Sequence, residues 1–401
     1  MTRPIFSQRK SRRPKVIASL IIVTLIAIAV YYFFFLDDDS SLKVKTSSQS
    51  TQQTEPAIED QPELKVETVL EGLDHPWEIA FIDDVMLFTE RSGDFFAYVD
   101  DTKQLVETID NVEADGEGGL LGLAIDSNFE NNQYIYMCYN YKKGNKRDVR
   151  VSRFEFDVDQ LSLGGPTDIV TGIPAKSTGR HSGCRLAFDD DNHLWITTGD
   201  AANEKNPQGE DSLGGKVLRV TRNGDGATGN RSDPFDDRIF NYGHRNVQGI
   251  ALLEEPSGAI FGVTTEHGPD VDDEVNPLRT GNFGWDPGKG YDEDVPMTDL
   301  EKFSDAIEAI WSSGDDTIAI SGATYVRGTQ WQGFDGWLAI AVLKGEKVLM
   351  LNIDENFKVQ DEVDVLSEYG RIRTVVQSPD GDLYIATDNG DDKILRVTPR
   401  S

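Results

Sequence analysis

Between Asn241 and Trp285 the chain reads NYGHRNVQGIALLEEPSGAIFGVTTEHGPDVDDEVNPLRTGNFGW, which sets a fixed positive charge close to a dense set of oxygen donors. Arg245, in Gly243-His244-Arg245-Asn246, is charged at every accessible pH and suits an anionic oxygen. Gly268-Pro269, followed by Asp270, Asp272, Asp273 and Glu274, supplies the carbonyl and carboxylate oxygens that a hard cation such as calcium takes, about 6–8 at a time. Taken alone, such a run reads equally well as an acidic turn between strands. Three further clusters raise its meaning. Gly179-Arg180-His181-Ser182-Gly183 leads into an apolar strand, and Asp200 ends the strand after it. Lys344 sits in Val342-Leu343-Lys344-Gly345, and Arg371 and Arg373 sit in Gly370-Arg371-Ile372-Arg373. A histidine before a strand is usually a polar loop residue and a lone arginine usually a surface ion pair. Cationic groups from several such clusters, if brought to one place in a chain of net charge −31, imply a ligand carrying several carboxylates.

Convergence requires a frame that brings distant segments together, and the chain repeats loosely from Leu64 onward. A short apolar strand, an Asp-containing turn and a second strand ending in Thr plus an acidic or small residue recur. Examples are Trp77 to Phe81 with Leu87 to Glu90, Arg185 to Phe188 with Leu194 to Asp200, Gly249 to Leu252 with Val263 to Glu266, and Thr374 to Val376 with Leu383 to Asp388. Weaker copies lie at Leu123 to Ile125 with Ile135 to Tyr139, and at Ala323 to Tyr325 with Trp337 to Ala341. Alternation and Asp-Gly-type turns read as strands, and no long helical period competes. The expected fold is all-β, a six-bladed β-propeller of four-stranded blades over residues 64–401, with a sandwich or two-domain all-β fold as the alternative. In a propeller the loops entering the innermost strands meet at one mouth of the central channel.

Ahead of the repeats, residues 1–15 are basic and without acids, and Val16 to Leu36 is an uninterrupted apolar run that closes on Asp37, Asp38 and Asp39. As a helix the run spans about 31 Å, enough to cross a hydrocarbon core of about 30 Å. It is longer than a signal-peptide core and ends in Tyr-Tyr-Phe-Phe-Phe-Leu rather than small residues, so an uncleaved transmembrane anchor is expected in preference to a cleaved signal. The basic side then faces the cytoplasm and everything beyond residue 39 lies outside, at the end of a flexible tether over residues 37–63. With 70 acidic against 39 basic residues there is no footprint for nucleic acid. The two cysteines, Cys138 and Cys184, exclude a disulfide scaffold. A single bridge is possible outside the cytoplasm, but they lie in different repeats and nothing fixes their separation, so unbridged thiols are the expectation.

The motifs RHSGCRLAF, ITTGD, GHRNVQG, EHGPDVDDEVN, GNFGW, VLKG and GRIRTVVQSPDG together resemble the soluble quinoprotein glucose dehydrogenase and aldose sugar dehydrogenase family over about Leu64 to Pro399. The resemblance implies a six-bladed propeller that holds pyrroloquinoline quinone (PQQ) and calcium, and a reaction that oxidises the anomeric hydroxyl of an aldose and passes electrons on to an acceptor. It implies His181 as general base, Asp200 as the acid that orients it, and Arg245 with Asn246 at the quinone oxygen. It further implies Lys344, Arg371 and Arg373 as a clamp on the PQQ carboxylates, the carbonyls of Gly268 and Pro269 as calcium ligands, and Asp273 and Glu274 as part of a neighbouring calcium site. Two departures bear on the sugar: Glu117 stands in place of a glutamine, and Arg180 in place of an acid just before the base. Rival readings are a calcium-binding propeller without catalysis, which predicts a decayed clamp, and a lactone-hydrolysing propeller, which needs carboxylates converging on the axis without it.

Overall fold

The computed structural model describes residues 61–254 and 260–400. Contacts divide the chain into Met1–Ala57 and Ile58–Ser401, and the described residues all belong to the second unit. The basic segment, the apolar run and nearly all of the tether lie outside them; among the described residues no helix is long and apolar enough to cross a membrane.

Six antiparallel sheets form the blades. Their innermost strands are Pro76–Ile82, Leu120–Ile125, Gly183–Phe188, Val247–Glu254, Ile320–Tyr325 and Ile372–Gln377, belonging to blades 1 to 6 in that order. Blade 2 carries an extra two-residue strand, Ser162–Leu163, on its third strand. The outermost strand of blade 6 is Leu64–Leu73, which pairs antiparallel with Asp392–Pro399, so the start of the domain closes the ring with its end. The strands form because their side chains face neighbouring blades. Leu338–Val342, with sequence LAIAV, is buried along its whole length, as a strand covered on both faces must be.

Because neighbouring strands run antiparallel, the beginnings of the innermost strands and the ends of the second strands lie at the same end of the ring. In all six blades the pairing between these two strands slips near that end, at Pro76/Glu78, Leu120/Leu123, Gly183/Leu186, Val247/Gly249, Ile320/Ala323 and Ile372/Thr374. Such a bulge bends the strand and re-aims its side chains. Here it recurs at the mouth end of every innermost strand.

A buried side chain crosses the channel between the blades. Arg185, in the innermost strand of blade 3, is buried; its Nε donates to the Gln248 carbonyl of blade 4 (2.9 Å), its Nη1 pairs with Glu78 of blade 1 and donates to Thr374 of blade 6 (3.2 Å), and its guanidinium lies 3.9 Å over the Trp77 ring. One arginine thus ties four blades, which a sequence reading of RLAF as an ordinary alternating strand does not reveal.

The expectation of unbridged thiols is corrected. Cys138, in the second strand of blade 2, and Cys184, in the innermost strand of blade 3, form a disulfide with Cα atoms 5.6 Å apart. Both belong to the apolar cluster between those blades, with Tyr136, Leu186 and Ile196. Residues in different repeats meet because the repeats are stacked face to face.

Candidate active site

His181 sits in the turn before the innermost strand of blade 3 with a left-handed backbone, φ 56°. That conformation is costly for a non-glycine residue and persists only where its surroundings enforce it. Here the opposing strand end comes so close that a Cβ on Gly199 would lie 2.0 Å from the His181 carbonyl oxygen. The loop from Asp200 to Gly215 is secured beneath by Lys216, whose buried ammonium donates to the carbonyls of Asn206, Pro207 and Gly214. Asp200, fully buried, accepts four hydrogen bonds: from His181 Nδ1 (2.8 Å), the Ala202 amide (2.8 Å), Trp285 Nε1 (2.9 Å) and the Tyr291 hydroxyl (2.7 Å). A carboxylate facing Nδ1 places the proton there and leaves Nε2 unprotonated with its lone pair, the tautomer a general base needs. Arg180 Nε lies 3.2 Å from that lone pair.

Arg245, 5% exposed, is oriented from behind and in front. Its amide donates to Glu266 Oε2 (2.9 Å), whose other oxygen accepts from His244 Nδ1 (2.7 Å), and its Nη1 donates to the His267 carbonyl (3.0 Å). On the open side Nε and Nη2 both reach Glu293 Oε1, at 2.9 and 2.7 Å, while Glu293 Oε2 pairs with Arg180 Nη2. Glu117 Oε2 accepts from the His181 amide (3.2 Å) and from Asn246 Nδ2 (3.1 Å). The acid that departs from the family pattern therefore links the base loop to the residue beside Arg245. Arg180, expected to face the substrate, stands at the base and is neutralised by Glu293.

The clamp residues come from blades 5 and 6. Arg373, 8% exposed, pairs through Nε and Nη2 with Asp388 and donates through Nη1 to Gln248 (2.7 Å). Arg371 uses Nε on the Asp388 carbonyl (3.0 Å). Lys344 is exposed at the end of the second strand of blade 5, and no described residue pairs with its ammonium. Arg91, at the end of the second strand of blade 1, is a residue the sequence reading missed. Its Nε is buried without a partner, and burial together with the charge of Arg373 lowers its proton affinity. At His267, burial, opposed by Asp273 and reinforced by Arg373, Arg245 and His181, pulls the imidazole down to about 4, and its buried Nε2 has no partner.

Neither the Gly268 nor the Pro269 carbonyl accepts a hydrogen bond from a described residue, although the flanking carbonyls of His267 and Asp270 do. Gly268 must be glycine, since a Cβ there would lie 1.8 Å from the Val271 carbonyl oxygen. Asp273 holds this loop rather than standing free for a cation. It accepts from the Gly268 amide (2.9 Å) and Thr317 hydroxyl (2.7 Å) on one oxygen, and from the Ile318 and Ala319 amides (2.7 and 2.6 Å) on the other. Glu274 lies beside Glu266 across the sheet, and burial plus the Glu266 charge hold it well above the ordinary carboxylate range.

Tyr291 and Glu293 also escaped the sequence reading. They lie in the irregular stretch between Pro277 and Trp311, where there is no period to read. Trp285, within GNFGW, was visible as part of a motif, but its bond to Asp200 was not.

A family model described as glucose/sorbosone dehydrogenase matches residues 73–396. The aldose sugar dehydrogenase YliI of Escherichia coli is 30% identical over 355 residues, covering 84% of this chain and 94% of that one. Quinoprotein glucose dehydrogenase B of Acinetobacter calcoaceticus is 25% identical over 412 residues, 80% of this chain and 84% of the relative. The PQQ-bound structure of an aldose sugar dehydrogenase from Streptomyces coelicolor superposes with a TM-score of 0.70 at 28% identity, covering 85% of this chain and all of that one.

Proposed function

The chain belongs to the glucose/sorbosone dehydrogenase family, and on that premise we propose that it is a PQQ- and calcium-dependent dehydrogenase that oxidises the anomeric hydroxyl of an aldose to the lactone. The single observation that carries this reading is the geometry at His181. Its Nδ1 is committed to a fully buried carboxylate that three other donors also fix, so Nε2 carries the lone pair of the base, met in this structure by Arg180 Nε.

The residues present fit the cofactor. Lys344 is an unpaired cation among the described residues, Arg91 carries an orphaned buried donor, and Arg371 gives only its Nε to a backbone carbonyl. The two unengaged carbonyls of Gly268 and Pro269 are oxygen donors suited to calcium. Glu274 beside Glu266 is a second place where a divalent cation would restore two ionised carboxylates. When bound, PQQ supplies the two-electron acceptor for the hydride of the anomeric carbon. The protein does the rest. His181 Nε2 takes the hydroxyl proton, Asp200 stabilises the imidazolium that forms, and Tyr291 and Trp285 keep Asp200 from turning away. Arg245 stabilises negative charge developing on the oxygen it faces.

The domain works outside the cytoplasm, anchored by the apolar run 16–36 with residues 1–15 inside. What supports this is the pattern of a basic segment before an uninterrupted apolar stretch, and the disulfide, which is the chemistry of oxidising compartments. The test is to load the detergent-solubilised full chain with PQQ and calcium and screen aldoses with an artificial electron acceptor. Turnover on at least one aldose is expected. Tight calcium-dependent PQQ binding with no turnover on any of them would leave the non-catalytic binding module in its place.

A further inference from the structure

Arg245 presents two donors to the open side of the mouth, and one carboxylate takes both. Nε and Nη2 converge on Glu293 Oε1 at 2.9 and 2.7 Å, and Nη1 is committed to the His267 carbonyl. The other oxygen of Glu293 draws Arg180 across the base, where Arg180 Nε meets the His181 Nε2 lone pair. Burial alone would raise Glu293, but Arg245 and Arg180 more than offset it and hold the carboxyl below its ordinary value, so it is an anion at neutral pH.

The segment that carries Glu293 is suited to movement. Residues 288–296 contain no strand or helix and are almost entirely half-buried or exposed, without a buried apolar anchor. Its attachments are the Tyr291 hydroxyl to Asp200 and His181, the Tyr291 ring against His181 and Arg180, the Gly290 and Tyr291 amides to Glu204, and a backbone pair between Gly288 and Asp292. Segments of this kind, with few apolar contacts and exposed hydrogen bonds, open at low free energy.

We propose that Glu293 is an internal competitor for the anion position at Arg245, so that an anionic ligand oxygen gains that arginine only as the 288–296 segment releases the carboxylate. Release also withdraws the second partner of Arg180 and exposes the base lone pair, so filling the anion position and uncovering the base are one event. This rests on the reading of Arg245 as the residue that faces the cofactor's oxygen, and it adds a residue to the site that governs access to it.

The experiment compares the full chain with Glu293→Gln and with Asp294→Asn, an exposed acid in the same segment whose loss changes net charge equally without touching Arg245. PQQ affinity is measured calorimetrically in calcium buffer, and sulfate binding by the rise in melting temperature. Glu293→Gln is expected to bind PQQ roughly tenfold more tightly than the parent, the order of one charge-assisted contact. It should also show the larger sulfate-induced rise, while Asp294→Asn follows the parent. A PQQ affinity in Glu293→Gln equal to or below the parent's overturns the proposal, as does an equal gain in Asp294→Asn. If neither parent nor variant binds PQQ, the cofactor assignment falls, and the sulfate arm alone decides whether Glu293 holds the anion position.

Discussion

On the side of blades 3 and 4, Asp200 accepts four hydrogen bonds, His181 is locked in a left-handed turn, and Arg245 is held at its backbone amide and at Nη1. On the side of blades 5, 6 and 1, Lys344 has no partner among the described residues, Arg371 holds one carbonyl and Arg91 leaves a buried donor unmet; only Arg373 is fixed, by Asp388 and Gln248. The difference matches what each side does in the proposed reaction. Proton transfer requires atoms in reach within a few tenths of an ångström before the substrate arrives, so its groups are immobilised by the fold. Gripping a small polyanion requires charge at the rim, and donors left without protein partners are available to it. Long-range attraction cannot do this work in a chain of net charge −31, so short contacts must.

The two sides separate most visibly at the base. His181→Ala should lower kcat by roughly 10²–10⁴-fold while PQQ affinity, measured by titration, stays within a factor of about two. A parallel loss of affinity would show that the two sides are not separate. Arg373→Ala tests the one clamp residue built like the reaction side. It should weaken PQQ binding and also destabilise the fold by about 3–5 kcal/mol, because it strands the buried Asp388 carboxylate; denaturant unfolding reads that loss. Replacing Cys138 and Cys184 together by Ser should lower stability by about 2–4 kcal/mol, since the bridge closes a separation of 46 residues. Because Cys184 follows Ser182 and Gly183 directly, turnover should suffer more than PQQ affinity. Lys344→Ala should weaken PQQ binding by roughly tenfold and leave the melting temperature unchanged, the signature of a cation held for a ligand alone.

The smallest effect concerns acid. Burial would raise Asp388, but Arg373, with help from Arg371 and His75, brings it below its ordinary value of 3.8. A carboxyl lower in the folded than in the unfolded chain contributes stability that is full above its unfolded value and is lost as pH falls through the folded one. The melting-temperature difference between the parent and Asp388→Asn should therefore be constant from neutral pH down to about 5 and shrink below about 4.

What the sequence disclosed and what it hid divide along the same physical lines. Strand alternation and recurring turns are local, so the six blades were legible, and so was the placement of His181, Asp200, Arg245 and Lys344 at strand ends, which topology gathers at one mouth. Asp273 looked like a metal ligand because a carboxylate in an acidic run has no visible partner; its four donors come from residues 268 and 317–319, most of them more than forty positions away. Arg185 was hidden inside an apolar strand, the disulfide across a blade interface, and Tyr291 and Glu293 in a stretch without period. Each of these depends on which blades face one another.

The most direct test of the account is a PQQ titration of the full chain with and without calcium, followed by addition of an aldose to the loaded protein without any electron acceptor, with the bound cofactor watched by its absorbance. Tight binding is expected only with calcium, and then reduction of one cofactor per chain that is fast in the parent and nearly abolished in His181→Ala. Binding indifferent to calcium, or reduction at equal rates in parent and variant, would contradict it.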